Sequence, residues 1–218
     1  MEIRLAHAAL VALASGCTVP PPFHTLQTAS TLPAGGVSVM AAGGGGGGEG
    51  LHSCCGGAAA RVRVGIGGDQ ELGIDGNAIF SKNEVAGGFR LGYKLAPSAR
   101  LAVLAGAGAF FIERLPSAGL DLGAVVSLRQ SSETVVPYTG LRLAGAIPID
   151  SDLYSGGGLS QTMTIPIGVS VRLGPRWQGM AELGGLGALS EARSGTSGMV
   201  ETQTNLGLYG ALAIGWQR

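Results

Sequence analysis

The 218-residue chain carries 14 Lys+Arg and 14 Asp+Glu, so its formal net charge is zero. This balance excludes the clustered basic surface that nucleic-acid binding needs. Although 45% of the residues are hydrophobic, the longest apolar stretches, 5–14 and 101–112, fall short of the roughly 18 residues of a spanning helix. An apolar chain of this kind is expected to be a β-barrel in lipid or an unusually apolar soluble β-protein.

The chain begins with a segment typical of a secretory signal. Arg4 precedes a short apolar core, and small residues precede Cys17, as in exported proteins. The sequence LASGC at 13–17 resembles a bacterial lipoprotein cleavage box, which implies that Cys17 is the lipid attachment site. An ordinary signal cleaved nearby is the alternative. We therefore predict a signal peptide over 1–16 and a Pro/Thr/Ser-rich tether over 17–35.

A run of glycines at 43–48 predicts a flexible loop over 43–58. This segment contains His52 and two adjacent cysteines, Cys54 and Cys55. The cysteines could form a strained or an intermolecular disulfide in an oxidising compartment, and their redox state stays open. Three ligands in one loop make a poor zinc signature. We predict no metal site and no cofactor.

From residue 36 onward, apolar residues alternate with polar or small ones, which indicates strands with one apolar face. In TMTIPIGVSVRL, at 162–173, every second residue from Met163 is apolar, and Arg172 lies on the other face. Turn signals favour ten strands, near 36–42, 59–67, 70–79, 85–95, 100–111, 119–129, 136–147, 161–173, 177–188 and 203–216. If residues 36–42 do not form a strand and two of the other strands are continuous, the barrel has eight strands.

Long and short connections tend to alternate between these strands. Those at 43–58, 148–160 and 189–202 are long, and those after the second, fourth, sixth and eighth strands are short. Short periplasmic turns and longer outer loops are typical of outer-membrane barrels. We therefore predict an all-β, antiparallel, up-and-down transmembrane β-barrel over 36–218, with both ends in the periplasm.

The polar face of the alternation is expected to line the lumen, because the apolar side chains of a membrane barrel face lipid. Charges of both signs would pair in a narrow interior, so we expect a plugged lumen and not a wide pore. The predicted lumen charge network consists of Arg61, Arg63, Glu71, Asp75, Arg90, Lys94, Asp121, Arg129, Arg142, Arg172 and Glu182.

Aromatic residues give a second test, because membrane barrels concentrate them at the two lipid–water interfaces. The aromatic positions fall near the ends of the predicted strands. The predicted interface aromatics are Tyr93, Tyr138, Trp177 and Trp216 on the periplasmic side and Phe80, Phe110 and Phe111 on the outer side.

These features resemble the small outer-membrane β-barrel proteins of Gram-negative bacteria, and in particular a lipoprotein subset. The resemblance covers the signal that ends at Cys17, the alternating strands and the last strand. It implies a place in the cell outer membrane, in contact with membrane lipid, and does not name an activity. The last strand, TNLGLYGALAIGW, carries its alternating apolar residues and closing aromatic at Leu206, Leu208, Leu212, Ile214 and Trp216.

Three functions stay open on the sequence alone. A monomeric barrel could have a structural role or present its outer loops to a protein or surface ligand, or it could pass small solutes through a narrow, porin-like lumen. A soluble lipocalin-like barrel tethered at Cys17 would instead turn its apolar face inward around a hydrophobic ligand. Catalysis is not expected, since His7, His24 and His52 fall in the signal, the tether and a loop.

Overall fold

The computed structural model describes residues 25–49, 51–80, 85–112, 115–129, 133–149, 160–193 and 200–218. Ten antiparallel strands form a closed barrel in which each strand pairs with its neighbours in sequence and the first pairs with the last. The predicted all-β, up-and-down barrel of ten strands is confirmed. Within the described ranges no helix is long and apolar enough to cross a membrane. The strands are β1 (Val37–Glu49), β2 (Leu51–Gly67), β3 (Gln70–Phe80), β4 (Val85–Ser98), β5 (Leu101–Ile112), β6 (Leu115–Ser127), β7 (Val135–Pro148), β8 (Ser160–Arg172), β9 (Trp177–Arg193) and β10 (Val200–Gln217).

The tight connection between β2 and β3 shows how local sequence closes a hairpin. Gly68 and Asp69 have φ values of 61° and 58°, as a type I′ turn requires of its two central residues. Glycine adopts this backbone without strain, and Asp is one of the few other residues that tolerates it. The turn lies at the same rim as the start of β1 and the end of β10, where Val37 and Arg218 exchange backbone hydrogen bonds of 3.1 and 2.8 Å.

The glycine run does not form the predicted loop. Residues 43–48 belong to β1, where Gly44 pairs with Ala211 of β10 and with Gly57 of β2. Backbone pairing needs no side chain, and two neighbouring strands supply partners on both sides. A Cβ at Gly46 would lie 2.9 Å from the carbonyl oxygen of Leu208, so the close approach of β10 favours glycine. The prediction of a loop over 43–58 is therefore wrong.

The apolar face of the strands points out of the barrel. Ile167, Leu183 and Leu208 are 67%, 70% and 73% exposed, whereas Asp75 and Arg90 on the inner face are 1% and 3% exposed. A lipocalin-like barrel would have the opposite arrangement, so that alternative is wrong. An outer face of this composition is stable only against lipid, and the chain is a transmembrane barrel.

Candidate functional site in the barrel lumen

A series of alternating charges follows the lumen wall from β2 to β4. Arg61, Asp75 and Arg90 are direct cross-strand neighbours on β2, β3 and β4. Arg61 Nε donates to Asp75 Oδ1 at 2.5 Å, and Arg90 Nη1 donates to Asp75 Oδ2 at 2.7 Å. All three side chains are buried. The carboxylate between two guanidinium groups compensates their buried charge, which unpaired would be costly.

Arg90 continues the series across β5 to β6. Its Nε and Nη2 donate to the two carboxylate oxygens of Asp121 at 2.6 and 2.7 Å, and Arg142 Nε on β7 donates to Asp121 at 3.1 Å. Between them β5 supplies Gly106, which is the register partner of Asp121. A Cβ at Gly106 would lie 2.5 Å from Arg90 Cζ. Glycine at this position therefore lets the arginine lie flat across β5.

Two further cations lie nearer the periplasmic end of the wall. Lys94 Nζ is 3.5 Å from Glu71 Oε2, and Arg63 Nη2 is 3.7 Å from Asp75 Oδ2. All of these side chains are buried. Together these ion pairs join five cations with three carboxylates on β2–β4, β6 and β7: Arg61, Arg63, Glu71, Asp75, Arg90, Lys94, Asp121 and Arg142. Glu182 on β9 is the fourth buried carboxylate of the lumen.

Glu182 on β9 is held by two tyrosines from other strands. Tyr138 and Tyr209 donate their hydroxyls to its two carboxylate oxygens at 2.8 and 2.9 Å. Tyr138 reaches Glu182 from β7 by crossing β8 at Gly168, and Tyr209 lies against Gly184. A Cβ would lie 2.7 Å from Tyr138 Cε1 at Gly168 and 2.5 Å from Tyr209 Cε1 at Gly184. The crossing-glycine arrangement of β5 thus recurs on this side of the barrel.

Residues 25–36, which we call the lumen segment, run inside the barrel before β1 begins. Thr25 N and Leu26 N both donate to the carboxylate of Glu182 at 2.7 Å. Arg61 Nη1 donates to the carbonyl oxygens of Thr25 and Leu26 at 2.9 and 3.2 Å. Glu182 and Arg61 thus bind the main chain of the segment through charge-assisted hydrogen bonds.

The remainder of the segment follows the wall back to the periplasmic rim. Ala29 N donates to Ser127 Oγ at 2.8 Å, and Leu32 N donates to Glu71 Oε1 at 2.6 Å. Lys94 Nζ donates to the carbonyl of Ser30. A Cβ at Gly65 of β2 would lie 2.6 Å from the Leu32 carbonyl oxygen. The second part of the predicted tether therefore lies in the lumen, because the wall charges offer partners to its main chain.

Two residues of the predicted network are exposed at strand ends. Arg129 follows the end of β6, and its side chain is 60% exposed and pairs with Glu133 at 3.1 Å. Arg172, the last residue of β8, is exposed beside a polar cavity of about 180 Å³ at the periplasmic mouth. Both residues follow the alternation, but they lie at strand ends where the lumen opens to water. The prediction that Arg129 belongs to the lumen network is wrong, because it pairs with exposed Glu133, whereas Arg172 lines the periplasmic mouth of the lumen with Thr28 and Ser30.

The predicted interface aromatics divide into two groups. Phe80 and Trp177 are 50% and 49% exposed at opposite ends of the barrel wall. Trp216 is the register partner of Trp177, and it and Tyr93 are half-buried. These four positions fit an interface. The side chain of Phe111 lies outside the described residues.

Tyr138 and Phe110 do not lie at an interface. They are 1% and 3% exposed in the lumen, where Tyr138 binds Glu182 and a Cβ at Gly108 would lie 2.8 Å from Phe110 Cζ. Strand geometry gives the reason, since Tyr138 shares its face with Arg142 four residues later. Position at a strand end does not decide which face an aromatic takes, and the interface prediction for both is wrong.

Several other sequence predictions fall outside the described part of the chain. These are the signal over 1–16, Cys17, the two N-terminal histidines, and the side chains of His52, Cys54 and Cys55. Among the residues that the structure does describe, no group of His, Cys, Asp and Glu could hold a metal ion.

Comparison with known proteins finds similarity at the level of structure. No protein-family model and no curated protein matches the chain. The N-terminal β-barrel domain of Pseudomonas aeruginosa OprF is 13% identical, with a TM-score of 0.40 over 86% of this chain and 100% of that one. Pseudomonas aeruginosa OprG is 6% identical, with a TM-score of 0.42 over 88% and 99%. Neisserial surface protein A is 12% identical, with a TM-score of 0.36 over 83% and 95%.

Because these TM-scores are low, the fold is assigned from the strand pairing of this chain. The barrel has an even number of strands, a closed ladder and an apolar outer face around a charged lumen. Single-chain barrels of the bacterial outer membrane combine these features. The chain is therefore a ten-stranded β-barrel of the Gram-negative outer membrane.

Proposed function

We propose that the protein is a monomeric outer-membrane barrel whose role is structural or depends on contacts at its outer end. The observation that carries this proposal is the length of β9 and β10, which have 17 and 18 residues. A tilted strand crosses the bilayer in about 9–11 residues. Because β9 and β10 start and end at the short-turn rim, the surplus projects as a two-stranded extension on the outer side.

The sequence of this extension suits contact with water and with a polar partner. The outermost large apolar side chains described on the pair are Leu189 and Leu206, which are 44% and 68% exposed. Beyond them the chain reads SEAR at 190–193 and VETQT at 200–204. The loop predicted at 43–58 cannot serve as a binding surface, because residues 43–49 and 51–58 belong to β1 and β2. The extension of β9 and β10 is the surface that we propose instead. The lumen segment and the charge network fill the described lumen, which argues against free passage of solutes.

Cysteine labelling tests whether the extension is displayed. Cys17, Cys54 and Cys55 are replaced by Ser, and a single cysteine is placed at exposed Thr204 or, as a matched control, at lipid-facing Ile167. A membrane-impermeant maleimide should label Thr204→Cys in intact cells and leave Ile167→Cys unlabelled. Heat-dependent gel mobility checks that both variants fold as barrels. Equal labelling at the two sites would contradict the proposal.

We further propose that residues 1–16 are removed on export and that Cys17 is lipidated, on the support of LASGC at 13–17. Cells grown with an alkyne fatty acid should yield a labelled protein that the Cys17→Ser variant does not. Label in both proteins, or in neither, would contradict lipidation at this residue.

A further inference from the structure

The wall of the barrel binds the lumen segment by its main chain. Nine hydrogen bonds join the two, and each uses an N–H or carbonyl group of the segment. The segment's donors are the N–H groups of Thr25, Leu26, Ala29, Leu32 and Gly35, and the carbonyl of Ser30 is among the acceptors. Five of the wall contacts come from carboxylate or guanidinium groups, which make strong charge-assisted bonds. The backbone so held is left-handed at Leu26, with a φ of 39°. The Leu26 side chain adds an apolar contact, since it packs in a buried cluster with Leu104 and Val125.

The charged wall groups that hold the segment also have partners within the wall. Glu182 accepts from two tyrosine hydroxyls, at 2.8 and 2.9 Å, as well as from the segment. Arg61 is paired with Asp75 at 2.5 Å, and Lys94 with Glu71 at 3.5 Å. Withdrawal of the segment would therefore leave Arg61 and Lys94 paired with carboxylates and Glu182 bonded to two tyrosine hydroxyls, whereas a buried charge without any partner would be strongly destabilising.

Packing around the segment is loose toward the periplasm. Leu26 and Ala29 are its buried apolar residues, at 1% and 0% exposed. A cavity of about 90 Å³ with a mixed lining and a polar cavity of about 180 Å³ adjoin Thr28, Ser30 and Thr31. Cavities of this size and polarity have room for water, which can exchange with main-chain hydrogen bonds. Small side chains fit the space, and at Gly65 even a Cβ would meet the segment's backbone.

We propose that the lumen is a binding site for a polypeptide segment held largely through its main chain, with an apolar side chain at the position of Leu26, and that residues 25–36 are its exchangeable intramolecular occupant. The ligand class follows from the contacts: N–H groups directed at Glu182 and Glu71, and carbonyl groups directed at Arg61 and Lys94. A second polypeptide segment of this character would make the same bonds when the native one leaves.

A disulfide within the full chain tests the docked state. In a protein with Cys17, Cys54 and Cys55 replaced by Ser, Ala29→Cys and Ser127→Cys should cross-link on oxidation, because Ala29 N lies 2.8 Å from Ser127 Oγ. The pair Ala102→Cys and Val125→Cys, which are register partners within the wall, is the matched control. Cross-linking of the control pair without the segment pair would overturn the proposal.

Trapping in trans tests exchange. The full chain carrying Ser127→Cys alone is incubated with a peptide of sequence TLQTCSTLPAGG, which matches 25–36 with cysteine at the position of Ala29. The mixed disulfide should form at least about tenfold faster than with the same peptide N-methylated at the positions of Leu26 and Leu32, which lacks two donors to carboxylates. At the exposed rim position, Arg129→Cys, the two peptides should react equally. Equal rates at Ser127→Cys would show that the segment is a permanent filler and would overturn the proposal.

Discussion

The crossing glycines predict a large cost for a very small substitution. In Gly106→Ala, the added Cβ would lie 2.5 Å from Arg90 Cζ. Arg90 cannot move aside freely, because three hydrogen bonds of 2.6 to 2.7 Å fix its guanidinium to Asp121 and Asp75. The methyl group must displace the guanidinium from Asp121, which keeps only its bond to Arg142 at 3.1 Å.

The size of the effect follows from the bonds that are lost. A hydrogen bond to a charged group contributes roughly 1.5–3 kcal/mol, and two such bonds join Arg90 to Asp121. Partial relaxation recovers some of this, so we expect a loss of about 3 kcal/mol in the free energy of unfolding. In urea this lowers the midpoint by roughly 1 M or more.

The assay is equilibrium unfolding of the barrel refolded in lipid vesicles, with Gly185→Ala as the control. A Cβ at Gly185 has nothing within 4 Å, so that variant should stay within about 0.5 kcal/mol of the parent. In an Asp121→Asn background the cost of Gly106→Ala should shrink, because the charge-assisted bonds are already weakened. If Gly106→Ala and Gly185→Ala unfold at the same midpoint, the crossing-glycine argument is refuted.

The same unfolding assay checks three other expectations. Asp75→Ala removes the shared partner of Arg61 and Arg90 and should cost about 3–5 kcal/mol; a cost below 1 kcal/mol would mean that water reaches these guanidinium groups. Leu183→Arg places a charge on the lipid face, where Leu183 is 70% exposed, and should cost about 2–4 kcal/mol in lipid. Gly168→Ala should displace Tyr138 from Glu182 and cost at least about 1 kcal/mol, and a neutral result would show that the ring can shift without losing its bond.

Much of the barrel could be predicted from the sequence, because the alternation of apolar with polar or small residues shows which side chains share a face of each strand. The boundaries of β3, β5, β7 and β8 hold to within a residue or two, since their ends coincide with turn residues or with a loss of alternation. The inward direction of Asp75 and Arg90 follows from the same period of two. Alternation alone could not decide whether the apolar face meets lipid or a cavity, and the exposed Leu183 and Leu208 settle it.

The errors come from places where composition and pairing disagree. The glycine run at 43–48 has the composition of a loop, yet β2 and β10 pair with it on both sides. The place of Tyr138 near a strand end predicts an interface position. Its side chain, however, points to the same side of β7 as that of Arg142, into the lumen. Cross-strand pairing, which the sequence does not contain, decides the first case, and the alternation along β7 decides the second.

The lumen segment could not have been predicted from its own residues. Its hydrogen bonds with the wall use main-chain groups, which every residue except proline provides in full. The alternation does place Glu182 and Glu71 on the lumen face of the wall, but it does not show that both accept from backbone N–H groups. When charged residues face a lumen, backbone N–H and carbonyl groups must therefore be counted among their possible partners.

Two of the chain's 40 glycines acquire a specific explanation from this arrangement. Neighbouring strands lie about 4.8 Å apart, so a long side chain reaches a partner two strands away only by lying flat over the strand between. Gly106 permits this for Arg90, and Gly168 permits it for Tyr138. Such flat side chains occupy the wall and leave the axis of the barrel free, and this is where the lumen segment runs. A barrel with alanine at these positions would raise its arginines and tyrosines toward the axis and lose the space for a polypeptide.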